Sequence, residues 1–211
     1  MEFLQPRLYR LAGQSCCRNA ETVGLLREQV ARILRMLDTY RGAHVGPPDA
    51  HPTSDAAAVA AHLPTLLGYR LGARVSLTLE VPHALPRARI APDRLEQILV
   101  NLVVNAIDAV EERGLPGGVI VRARPEAVGQ VSLYVGDEGA GLHGGARDRL
   151  FSPYFTTKAL ARGTGLGLVI CRELARTAGG TVRLCDEATV KRLAPWPHPI
   201  RTLFVVTLPA G

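Results

Sequence analysis

The chain predicts an α+β fold: a two-layer α/β sandwich, one mixed sheet faced by helices, preceded by an α-helical hairpin. Three observations carry this expectation. The first forty or so residues hold two apolar stripes of helical period. Short runs of strand-type alternation come after them, at 74–81, 118–124, 130–136, 181–185 and 202–208. The helical segments among them do not alternate strictly with the strands, as a purely parallel sheet would require.

Composition sets the outer limits. The chain has 211 residues, of which 47% are hydrophobic, enough for one packed core and a small second unit. The formal charge of +6 comes from dispersed arginines, and aromatic residues make up only 5%, so no nucleic-acid surface is expected. Cys16, Cys17, Cys171 and Cys185 form no C-x-x-C pair, which reads as reduced thiols in a cytoplasmic protein without a zinc site. No apolar run approaches 18 residues and the start is not a signal sequence, so no membrane span is expected.

Residues 1–43 read as the hairpin. One helix covers 3–17; a second covers 21–42, with Leu26, Val30, Ile33, Leu34, Leu37 and Tyr40 on one stripe and a turn at Arg18–Glu21 between them. Such a pair buries its stripes against a second copy, which predicts a dimer built as a four-helix bundle; docking back onto the main domain is the alternative. Residues 44–54 are a linker marked by Pro47, Pro48 and Pro52. Residues 55–211 form the globular domain, beginning with a helical run, 55–70, that Pro64 should kink or split. Pro92 and Asp93 open a long helix, 92–113, closed by Gly114, with Leu95, Ile98, Leu99, Leu102, Val103, Ala106 and Val110 as its buried face. A turn near Gly129 joins the next two strands, and 137–163 is loop-rich. Residues 186–201, with Pro195, Pro197 and Pro199, read as an extended hairpin loop on which Trp196 covers some surface.

Three constellations carry chemistry. On the long helix, Asn101, Asn105 and Asp108 share the face opposite the apolar one. Asparagine is a mediocre helix former, and its amide carbonyl is a good ligand for Mg²⁺. Asp137-Glu138-Gly139-Ala140-Gly141 comes directly after a strand; a carboxylate there can accept from an exocyclic amine, and the glycines admit a planar base. The third is Phe151-Ser152-Pro153-Tyr154-Phe155-Thr156-Thr157-Lys158, followed by Gly163-Thr164-Gly165-Leu166-Gly167-Leu168 at a helix start. Backbone N–H groups, the helix N-terminus, Lys158 and Arg162 together make a phosphate cradle. Leu168, Cys171, Leu174, Ala175 and Ala178 continue it as a helix.

In this order and spacing, the three motifs over residues 55–210 resemble the ATP-binding domain of sensor histidine kinases, within the superfamily shared with type II topoisomerases, mismatch-repair ATPases and an Hsp-type chaperone. The resemblance implies an α/β sandwich holding ATP between helices and a short lid. It implies that Asn105 coordinates Mg²⁺, with Asp108 in the nucleotide-binding set, that Asp137 reads adenine, and that Gly139 and Gly141 flank the base. Phe151 and Phe155 would anchor the lid. Thr156, Thr157, Lys158 and the run Gly163, Thr164, Gly165, Leu166, Gly167, Leu168 would meet the triphosphate. The hydrolytic and serine-kinase branches carry a general-base glutamate four residues before the magnesium asparagine; that position is Asn101 here, and Glu96 lies off that face. An amide cannot deprotonate water but can orient a γ-phosphate, so Asn101 favours transfer to imidazole over hydrolysis.

The hairpin is similar to the family's dimerisation hairpin, yet Met1 stands where its acceptor histidine would align ahead of Glu2-Phe3-Leu4-Gln5-Pro6. None of His44, His51, His62, His83, His143 and His198 replaces it. The expectation is a histidine-kinase-type protein, working in two-component signal transduction as a homodimer or as a mixed dimer with another histidine kinase. It would use Mg-ATP to phosphorylate a histidine on a partner chain that feeds a response regulator or phosphotransfer protein. A silent nucleotide-binding regulator, a true ATPase, or a fragment of a longer kinase are the rival readings.

Overall fold

Pro92 and Gly114 bracket the element that organises the domain. In the computed structural model, which describes residues 52–126, 129–142, 146–156 and 165–211, Pro92–Arg113 is a single helix. Proline at the helix start loses nothing, because that N–H has no intrahelical acceptor. Gly114 ends the helix at φ 76°, a left-handed conformation that glycine adopts without Cβ strain. The predicted apolar face is buried, joined by Ile107. Each large aliphatic side chain so covered stabilises the fold by roughly 1.5–3 kcal/mol.

In chain order the elements are α1 (Ala56–Ala61), α2 (Leu63–Leu67), β1 (Val75–Glu80), α3 (Pro92–Arg113), β2 (Gly117–Glu126), β3 (Gln130–Asp137), α4 (Ala146–Arg149), α5 (Gly167–Thr177), β4 (Thr181–Leu184), α6 (Glu187–Arg192) and β5 (Thr202–Pro209). The split expected at Pro64 falls at His62, which ends α1 and precedes α2, leaving Pro64 in the tolerant first turn. Asp55 caps α1 by accepting from the N–H groups of Ala57 and Ala58.

The strands form one mixed sheet in the order β1-β2-β3-β5-β4. β1 and β2 run parallel, Val75 opposite Gly117, with α3 as the crossover between them. β2–β3, β3–β5 and β5–β4 are antiparallel. Side chains alternate across the sheet. Val119, Val121, Ala123, Val131, Leu133, Val135, Phe204, Val206 and Leu208 join the main core with α3 and α5. Tyr134, Leu203 and Val205 face the other way into a second cluster with Leu193, Val190, Trp196 and Ile200.

That second cluster corrects the expectation for 186–201. The segment is not an extended loop throughout: Asp186 accepts from the N–H of Thr189 at 2.8 Å and caps the helix α6. The prolines confine irregular structure to residues 194–201. Trp196 covers surface as expected, its Nε1 donating to the Val190 carbonyl at 2.8 Å while the Arg122 guanidinium lies 4.0 Å over its ring. A short helix, α4, also lies within the stretch read as loop. The expected hairpin of 1–43, the linker as far as residue 51, His143, Thr157, Lys158, Arg162, Gly163 and Thr164 lie outside the described residues.

Candidate functional site

On the core side of the sheet, α3 packs against both β3 and α5. Asp137 is the last residue of β3 and only 3% exposed. Its Oδ1 accepts the N–H of Gly139 at 2.8 Å, and the Thr202 hydroxyl adds a second bond. Burial outweighs both and pushes its pKa from 3.8 up to about 6. The neighbouring backbone is fixed on two sides: the N–H of Arg201 donates to the Asp137 carbonyl at 2.8 Å, and that of Ala140 to the Ala109 carbonyl of α3 at 3.2 Å.

The two glycines after Asp137 differ in kind. Gly139 is a close approach: a Cβ there would lie 2.6 Å from Cβ of Ala109 and 2.7 Å from Asp137 Oδ1. Gly141 has φ +79° and nothing nearer to a virtual Cβ than Arg201 Cβ at 3.9 Å, so the backbone there is open to a flat ligand.

On α3, Asn101, Asn105 and Asp108 are half-buried on the predicted face. A Cβ on Gly167, the first residue of α5, would lie 3.9 Å from Nδ2 of Asn105, so this amide sits beside the helix start. Asn101 hydrogen-bonds Cys171 on the next turn of α5; the thiol, fully buried, is pushed up to about 12 and stays protonated. Asp108 accepts from Arg70 at 2.6 Å, a partner that spacing along α3 does not reveal.

The aromatic block anchors the segment before the lid. Phe151 meets Phe204 of β5 edge-on at 6.4 Å, and Arg149 lies 4.7 Å over the Phe155 ring. Tyr154 takes φ 62° and is 77% exposed. Gly165, at φ +64°, packs its α-carbon against this turn: a Cβ would fall 2.4 Å from the Tyr154 carbonyl carbon. Of the segment expected to form a lid, Thr156, Gly165, Leu166, Gly167 and Leu168 are among the described residues, and 157–164 lie outside them. Sequence reasoning missed Thr202, Arg201 and Arg113, whose guanidinium donates to the Glu138 carbonyl. They come from distant segments, and no local pattern marks them.

A buried carboxylate at a strand end, an open glycine beside it, paired amides on the facing helix and a glycine-opened helix define the class: a two-layer nucleotide-binding domain. Residues 90–211 match the family described as histidine kinase-, DNA gyrase B-, and HSP90-like ATPase, and the chain belongs to it. It is 34% identical over 71% of its length to the sensor histidine kinase ZraS of Klebsiella oxytoca, and 35% identical over 79% to the C4-dicarboxylate transport sensor protein DctB of Pseudomonas aeruginosa. The chain spans only 31% and 27% of those relatives. The mycobacterial sensor histidine kinase MprB shares the fold, with a TM-score of 0.57 at 22% identity over 76% of this chain and 98% of that one. Among the described residues, no helix is long and apolar enough to cross a membrane.

Proposed function

We propose that the chain binds Mg-ATP and passes the γ-phosphoryl group to a histidine of a partner chain in two-component signalling. What supports the reading is the placement of α3: its Ala109 lies against Gly139, two residues after Asp137, and Asn105, one turn earlier on the same helix, lies beside Gly167 at the start of α5. In this reading Asp137 accepts from the adenine amine, and Gly139 and Gly141 lie along the base. The Asn105 carbonyl would hold Mg²⁺, whose positive charge would be supplied against the phosphoryl oxygens of the nucleotide. Asn101 and the lid from Thr156 to Leu168 orient the triphosphate. Asn101 supplies no general base for water, which supports transfer over hydrolysis.

The reading places the acceptor on another chain; among the described residues, His83 is exposed in a loop, and the other two histidines also give no sign of an acceptor site. His62 is an exposed side chain 3.7 Å from Glu96, and His198 is enclosed behind the sheet. A homodimer or mixed dimer with another histidine kinase would bring the acceptor close, and a response regulator or phosphotransfer protein would receive the group onward. The test incubates the chain with γ-labelled ATP and a candidate partner kinase carrying its own histidine. Label on the partner, lost with Asn105→Ala, is the expected result. Label on this chain alone, or steady phosphate release without an acceptor, overturns the transfer reading. Nucleotide affinity unchanged by Asp137→Ala overturns the site.

A further inference from the structure

His198 sits behind the nucleotide-reading loop, on the face of the sheet opposite α3. Its ring occupies the side-chain space that Gly118 of β2 leaves empty: a Cβ on Gly118 would lie 2.3 Å from Nε2 and 2.4 Å from Cδ2. Both ring nitrogens are buried, with no hydrogen-bond partner among the described residues. The Oε2 of Glu138 lies 3.9 Å from Nδ1. The same oxygen accepts the N–H of Gly118 at 2.7 Å.

Glu138 is the residue after Asp137. Just past the end of β3, its side chain lies along the start of β2, with Cβ 3.3 Å and Oε2 3.5 Å from a virtual Cβ on Gly117 and the same Oε2 reaching toward Gly118 and His198. Its backbone is held as well: the Glu138 N–H donates to the Gly118 carbonyl at 3.1 Å, and the Glu138 carbonyl accepts from Arg113. The chain then returns from His198 past Ile200, whose side chain fills the space beside Gly136, to Arg201 and Thr202, which bond Asp137 itself. Leaving two imidazole nitrogens unsatisfied in a buried place is costly, and an aliphatic side chain would fill the space over Gly118 without that cost. What the ring does reach is Glu138, by packing at 3.9 Å rather than by a hydrogen bond.

We infer that His198 is a positioning residue for the base site: wedged over Gly118, it holds the Glu138 side chain in place and so fixes Asp137 at the angle that selects adenine. This rests on the reading of Asp137 given above. The segment 186–201 thereby becomes the rear support of the nucleotide-reading loop rather than a simple cover for the sheet.

The test uses the full chain and measures Kd for ADP and for GDP, whose ratio is insensitive to the fraction of folded protein. His198→Ala should lower the ADP preference about fivefold, the cost of one misaligned hydrogen bond. Val190→Ala loosens the same segment without touching Glu138 and should leave the ratio unchanged. Glu138→Ala should reproduce the His198→Ala ratio, and the double variant should add nothing. A wild-type ratio retained in His198→Ala overturns this inference alone, as does an equal loss in Val190→Ala. A wild-type chain with no preference for ADP overturns the Asp137 reading beneath it.

Discussion

Arg70 donates to Asp108 at 2.6 Å and, through the same nitrogen, to Glu111 at 2.9 Å, tying the stretch after α2 to the polar face of α3. Asp108, expected in the nucleotide set, shares the α3 face of Asn101 and Asn105. The ion pair gives this carboxylate a tethering role as well. Both partners are largely shielded, at 18% and 24% side-chain exposure, so the network exceeds a typical surface pair. Arg70→Ala should cost about 1 kcal/mol in urea unfolding. Asp108→Asn should leave ADP affinity within about twofold, a change of less than 0.5 kcal/mol by the usual conversion. A loss matching that of Asp137→Ala would place Asp108 in the nucleotide pocket after all.

Asp137 makes binding and stability depend on pH in opposite senses. Burial raises its pKa from 3.8 to about 6 in the folded chain, so folding disfavours the ionised form. Below the unfolded value both states carry the protonated acid and there is no penalty. As pH rises toward about 6 the unfolded chain loses its proton first, and stability falls by on the order of 3 kcal/mol, then levels off. Asp137→Asn should therefore raise the melting temperature at pH 7.5, with the gain fading as pH falls toward the unfolded value of 3.8. If Asp137 accepts from the adenine amine as proposed, its ionised form is the better acceptor, so the affinity advantage of wild type over Asp137→Asn should shrink as pH falls through about 6. Parallel titrations of the two proteins with ADP separate this from ionisation of the nucleotide.

The long helix was legible because its signals are local: Pro92, Gly114 and an apolar face that recurs at helical spacing. The strands were legible for the same reason, since Val131, Leu133 and Val135 alternate with Ser132 and Tyr134. Helix α6 was not. It is six residues long and buries none of them, so no periodic stripe exists, and its cap by Asp186 is a single contact. The site divides the same way. Asp137, Gly139 and the asparagine pair announce themselves within short windows, whereas Thr202, Arg113 and His198 reach the loop through strand pairing and chain return. The parallel register of Val75 with Gly117 is likewise a property of the α3 crossover and of no local pattern.

Arg122 is the cross-tie between the sheet and its rear cover. It is 6% exposed; Nε bonds Glu80 Oε2 at 2.6 Å, and its two terminal nitrogens bond the carbonyls of Leu193 at 2.7 Å and Pro195 at 2.8 Å. Arg122→Ala strands two carbonyls and a carboxylate and should destabilise the domain by roughly 3 kcal/mol. Trp196 is the one tryptophan in the chain and stacks under this guanidinium, so its emission should shift to the red in the variant before global unfolding begins. Unshifted emission with unchanged stability would show that the cover holds without Arg122.

Gly165 should couple the lid to the aromatic block more sharply than any charged residue nearby. A side chain there meets backbone on three atoms, the Tyr154 carbonyl carbon at 2.4 Å and the nitrogen and oxygen of Phe155 at 2.7 Å each. Backbone cannot rotate away as a side-chain tip would. The residue also holds φ +64°, which costs an L-residue roughly 1–2 kcal/mol by itself. Gly165→Ala must therefore move the start of α5 away from the Tyr154 turn, and with it Gly167 from Asn105. The core of α3 and the sheet does not pass through this contact. Triphosphate affinity should fall about tenfold or more, equivalent to at least 1.4 kcal/mol of lost binding, while the melting temperature drops only a few degrees. Substituting Gly114, at φ +76° with open space around a virtual Cβ, provides the comparison: strain without a clash, at the end of α3 nine residues beyond Asn105, lowering stability but sparing affinity. Equal effects of the two substitutions on ATP binding would show that the Gly165 contact plays no part in setting the lid.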